Sequence, residues 1–126
     1  MSNTAFFITQ AVQRYEQDCR GALVKLDQAQ TMWDVKRAAH VVAPSILRGM
    51  HIPRAGGRQQ LMQAAERKLQ SLLDAQLEKA RSLPDAETRK AYLGQLRLKD
   101  WEALRGEFAR LHRKADMEGR RIVAMK

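Results

Sequence analysis

The sequence predicts an all-α protein, a compact bundle of four to six helices in which the first and third are long. Three observations carry this expectation. Ala, Leu, Gln, Arg, Lys and Glu, all strong helix formers, dominate the 126 residues. Val, Ile and the aromatic residues, which suit a pleated surface, are sparse. Only three Pro and seven Gly interrupt the chain, and its apolar residues recur at intervals of three and four. A chain of this length forms one domain, residues 1–126, and buries somewhat under about 70% of its unfolded surface. With 44% hydrophobic and 29% charged residues it is globular rather than disordered.

The first helix is expected over residues 4–29, with Ser2, Asn3 and Thr4 as cap candidates. Ala5, Ile8, Val12, Tyr15, Cys19, Ala22, Leu26 and Ala29 form a heptad seam, which suits either the chain's own core or pairing in a homodimer. Gly21, beside Ala22, offers a place for close helix approach. The second helix opens at Thr31, which with Asp34 resembles a capping box. Trp33, Val35, Ala38, Ala39, Val41 and Val42 follow as its apolar positions, and Pro44 stops or kinks it. Residues 45–50 suit a short helix, and residues 51–58, HIPRAGGR, an internal loop.

The third helix is expected over residues 59–83, with Leu61, Met62, Ala65, Leu69, Leu72, Leu73, Ala80 and Leu83 on its apolar face and Gln76 interrupting it. Pro84 ends it and Asp85 caps the next, over residues 86–98, which carry Ala86, Tyr92, Leu93 and Leu96 as apolar positions and are weakened by Gly94. Asp100 is the expected cap of one last helix carrying Trp101, Leu104, Phe108, Leu111 and Ala115, with Gly119 as its C-terminal stop. Residues 120–126 then form a basic tail. Trp33 and Trp101 both fall on apolar stripes and are expected in the core.

Function is read from charge. The chain carries a net charge of +9. The excess is concentrated in residues 30–58 and 105–126, each net +4, whereas residues 1–29 are neutral. Such clustering favours a polyanionic partner. Residues 31–48, TMWDVKRAAHVVAPSILR, resemble the helix-turn-helix head of lactose-repressor-type regulators. Thr31, Trp33, Asp34, Val35, Ala39, Val41, Ile46 and Arg48 stand where that pattern has similar residues. The resemblance implies that Val35, Ala39, Val41 and Ile46 lock two helices while Ser45 and Arg48 face a groove. It departs from the pattern at His40, where a turn Gly is usual, at Lys36, where a small residue is usual, and at the apolar stretch Val42, Ala43 and Pro44.

A second candidate is the Gly56-Gly57 turn before the third helix. There Arg54 and Arg58 are placed to clamp a phosphate, with His51 as a further donor. The alternative is a plain linker. A third is the C-terminal cluster, in which Arg110, Arg113 and Lys114 share one helical face and Arg120 and Arg121 follow. Those cations also suit the helix dipole. The expected function is nucleic-acid binding, DNA or RNA, without catalysis, in a regulatory or accessory role such as a phage or plasmid factor. Lys36, Arg37, Arg48, His51, Arg54 and Arg58 form its first patch, and Arg110, Arg113, Lys114, Arg120 and Arg121 its second. The alternative is a protein-interaction module, an adaptor, inhibitor or chaperone, whose basic face meets an acidic protein.

No enzyme, cofactor or metal is expected. His40, His51 and His112 lack ligand spacing, and Cys19, the single cysteine, lies on an apolar seam without a base. The apolar run from Ala5 to Ile8 is too short for a secretory signal, and no stretch reaches about 18 apolar residues. A cytoplasmic protein with no membrane partner is expected.

Overall fold

The computed structural model describes residues 3–47 and 56–125. Among the described residues five α-helices follow one another: α1 (Asn3–Gln28), α2 (Met32–Ala39), α3 (Gly56–Ser82), α4 (Ala86–Leu98) and α5 (Ala109–Val123). Short 3-10 helices cover Ser45–Leu47 and Asp100–Leu104. No strand occurs among the described residues. The first and third helices are the long ones, as their periodicity predicts.

Helix α3 is the axis of the bundle and touches each of the other four. Leu61, Ala65, Leu69, Leu73, Leu77 and Ala80 run down it, all buried. Leu77, four residues past Leu73, belongs to this stripe although it is not among the expected positions. The helix begins at Gly56, so the last three residues of the expected loop are helical. Gly57 is not a turn residue. A Cβ there would lie 3.2 Å from the Glu16 carbonyl oxygen and 3.3 Å from Cys19 Cβ, so the bare glycine lets α3 lie against α1. At Gly21, by contrast, a Cβ would meet nothing within 4 Å, and no helix approaches there.

The seam of α1 is largely used inside the chain. Tyr15, Cys19, Ala22, Leu26 and Ala29 are buried, while Ile8 and Val12 only lean on the core and Ala5 is exposed. Burial pushes the Cys19 thiol up, with Arg58 opposing it, so the sulfur stays a protonated core atom.

Both bonds of the capping box are present. Thr31 Oγ1 accepts from the Asp34 N–H at 3.1 Å, and Asp34 accepts from the Thr31 N–H at 3.3 Å. Helix α2 then ends at Ala39, five residues before Pro44. A proline ring at 44 clashes with the carbonyl of residue 40 in helical geometry and brings no N–H to bond it. Residues 41–44 are not helical, and only Ser45–Leu47 winds as a 3-10 turn. The second helix that the repressor resemblance implies is therefore not formed through residue 47, and Ile46, its expected lock, is 43% exposed. Met32, not Trp33, is the buried residue of the first turn of α2, and Val35 and Ala39 are buried with it.

Asp85 caps α4, its Oδ1 accepting from the Thr88 N–H at 2.7 Å. Arg89 is buried in α4, at a position with no apolar residue to predict it. The expected last helix is split. Residues Asp100–Leu104 wind as a 3-10 helix, Gly106 turns the chain at φ +85°, and α5 begins at Ala109. Asp100 is no cap. Its carboxylate accepts from Gln76 Nε2 at 2.8 Å, and Gln76 Oε1 accepts from the fully buried Trp101 indole at 3.1 Å. The polar break in the α3 stripe thus satisfies the one donor that Trp101 carries inward. Gly119 does not stop α5. It lies inside the helix, where a Cβ would sit 3.3 Å from the Trp101 ring. The helix continues to Val123 and buries Ile122, so the first residues of the expected tail are docked.

Candidate nucleic-acid interface

The described cations of the first expected patch are engaged locally. Arg37 pairs with Asp34 at 2.7 Å, one turn back on α2. Lys36 Nζ stands 5.4 Å from the Trp33 ring centroid and 3.5 Å from the Arg105 carbonyl oxygen. Arg58 lies 3.7 Å from Glu107 and 3.5 Å from the Tyr15 hydroxyl. Arg48, His51 and Arg54 lie outside the described residues, and with them most of the expected phosphate clamp.

The second expected patch divides around α5. Because α5 packs on α3, one face of its cations meets α3 acids. Arg110 pairs with Glu66, and Lys114 stands 3.5 Å from Asp74. Arg121 pairs with Glu118 at 2.8 Å on its own helix. Arg113 and Arg120, seven residues and two turns apart, point elsewhere, and among the described residues neither has a carboxylate within 4 Å.

Arg120 instead faces α4. With Val123 it lines a groove of about 340 Å3 whose other wall is Lys90, Leu93, Gly94 and Arg97 of α4. Lys90 and Arg97 are also two turns apart and share one helical face. Gly94 lies between them, at a point where a Cβ would meet nothing within 4 Å. Arg97 touches Asp116 at 3.8 Å, with both side chains partly exposed. An ion pair of that kind contributes about 0–1 kcal/mol and yields readily to a stronger anion.

Lys90 and Arg97 are absent from the sequence-based patches. Their segment, residues 59–104, is nearly neutral in sequence, with eight basic and seven acidic residues. Chain averages hide the groove because the α4 cations and the α5 cations come together only when the two helices pack. The spacing of seven between Lys90 and Arg97, matched by that between Arg113 and Arg120, is the signal the chain itself carries.

Among the described residues no group of three or more His, Cys, Asp or Glu side chains is placed to hold a metal ion, and no helix is long and apolar enough to cross a membrane. Comparison with protein-family models, with curated proteins and with solved structures returns no match.

Proposed function

We propose that this protein binds a polyanion, most simply DNA or RNA, without catalysis, and that the groove between α4 and α5 is its principal contact. The convergence of Lys90, Arg97 and Arg120 on one groove lined by no acidic side chain carries the reading. Charge is also graded across the molecule. Helices α4 and α5 hold eight Lys and Arg against three acids, whereas α1 holds three of each. Phosphates track such a line of cations and release condensed counterions, so affinity falls steeply with salt. A regulatory, packaging or occluding role follows from binding of this kind.

The test is a salt titration of oligonucleotide binding by the wild-type protein and by Lys90→Ala/Arg120→Ala. Removing one phosphate-binding cation lowers the slope of log affinity against log salt by about 1. For the double variant the slope is expected to fall by about two, with binding to all sequences weakened alike. Salt-insensitive binding, or an unchanged slope, would sink the proposal.

The alternative is a protein-interaction module. It draws on Phe6 and Phe7, 60% and 53% exposed near the start of α1 and in edge-to-face contact with each other. That reading requires a stoichiometric protein partner whose binding is abolished by Phe6→Ser/Phe7→Ser, and protein that purifies free of nucleic acid at low salt.

A further inference from the structure

A second concavity lies beside α2. It encloses about 290 Å3 between α2 and the turn that precedes α5. Trp33, Ala39 and Phe108 form its apolar surface, and Lys36, Arg37 and His40 stand around it. Glu107 also lines it, but lies 3.7 Å from Arg58.

Trp33 is the unusual member. Its apolar position predicts a core residue, yet it is 37% exposed. It is nonetheless held in place: Nε1 donates to the Lys99 carbonyl oxygen at 2.9 Å. One edge of the indole is fixed, the Lys36 ammonium stands over the ring 5.4 Å from its centroid, and the rest of the exposed surface is open to solvent. Ala39 and Phe108, both buried, belong to the core and give the site a rigid base. A fixed aromatic surface with cations beside it suits a planar group that carries negative charge close by. A nucleobase and its phosphate have that chemistry, since every base offers a π-face for stacking. The volume, at the small end for ligand sites, suits one ring system.

The site also adjoins the proposed interface in the chain. The carbonyl that holds Trp33 belongs to Lys99, two residues beyond Arg97 of the α4–α5 groove. We infer that the Trp33 site receives one unstacked base of a single-stranded nucleic acid, whose neighbouring phosphates draw Lys36 from over the ring and Arg37 from its exposed pair with Asp34. This rests on the polyanion reading and narrows it. In a duplex the bases are stacked and paired, and entry would require extruding one at the cost of its stacking and pairing.

Tryptophan fluorescence tests the inference directly. The chain has two tryptophans, and Trp101 is fully buried, so Trp33 is the one a ligand reaches. A short oligothymidine is expected to quench the emission, and the same strand paired with oligodeoxyadenosine is not. Trp33→Leu is expected to lower affinity for the single strand by roughly ten- to hundredfold, the range typical of removing one base stack, and to leave duplex binding unchanged. Trp33→Phe keeps a stacking ring without the Lys99 hydrogen bond and should retain most of the single-strand affinity. Equal quenching by both forms, or single-strand affinity indifferent to Trp33→Leu, overturns this inference while leaving the polyanion reading intact. Failure of both the single strand and the duplex to bind at low salt overturns both.

Discussion

At the scale of single residues, two helical glycines do opposite things. Gly57 sits where α1 and α3 meet, against a helix backbone that has little room to move. Gly21 faces open space. Gly21→Ala should raise stability by about 0.5–1 kcal/mol, the usual helix-propensity gain. Gly57→Val should lower it by about 1–3 kcal/mol, because overpacking a rigid contact outweighs propensity. Urea unfolding of the two variants checks both signs, and a stabilised Gly57→Val would mean that the helices are not in close contact there. The chain contains no mark that separates these two glycines. Propensity is local, whereas the presence of a neighbouring backbone is not. Trp33 and Trp101 behave likewise, since equivalent positions on apolar stripes lead to one exposed indole and one buried one.

At the scale of helices, two caps are legible in the sequence, at Thr31 and Asp85, whereas Asp100 and Gly119 have the right residue types and do not cap a helix. Thr31 with Asp34, and Asp85, are recognisable by residue type and spacing because a cap is a contact within one turn. The side-chain bonds from Arg37 and Thr31 hold the Asp34 carboxyl below its ordinary range, and the Thr88 backbone N–H, followed by its side chain, does the same for Asp85. A carboxyl depressed in the folded state contributes stability that is fully present above its unfolded pKa, about 4, and disappears as pH falls through the lower folded value. The urea midpoint should therefore fall as pH drops below about 4, and Asp34→Asn/Asp85→Asn should flatten that fall. Parallel profiles for the two proteins would show that the caps do not contribute to acid sensitivity. Helix ends without a local cap were less legible. The break before α5 depends on Gly106 at positive φ and on Trp101 reaching Gln76, and a continuous apolar spacing of three and four hides it.

At the scale of the whole molecule, Arg89 ties distant parts of the chain together. Buried to 6% exposure, it donates at 3.0 Å to the Leu83 carbonyl before α4 and at 3.0 Å to the Met125 carbonyl beyond α5. Its planar fork presents a separate nitrogen to each oxygen, a geometry that the single ammonium of a lysine does not reproduce. Arg89→Met should cost about 1–3 kcal/mol through the unpaired carbonyls and should speed hydrogen exchange near Ile122, with Arg89→Lys failing to restore protection. Unchanged exchange would show that the end of α5 is held by packing alone.

The candidate interface belongs to the same scale. Net charge pointed to a class of partner, but the sequence clusters drew the patches differently. On folding Arg110, Lys114 and Arg121 meet acids, while Lys90 and Arg97, the latter also 3.8 Å from Asp116, join Arg120 across a helix pair. By itself the sequence determined the helical class, the long first and third helices, the cap at Thr31 and Asp34, the cap at Asp85 and the sign of the surface charge. All of these follow from composition or from neighbours within a few residues. Only the tertiary structure decided which glycine admits a helix, which tryptophan stays at the surface and which cations share a groove, because each depends on what residues far apart in the chain bring to the same place.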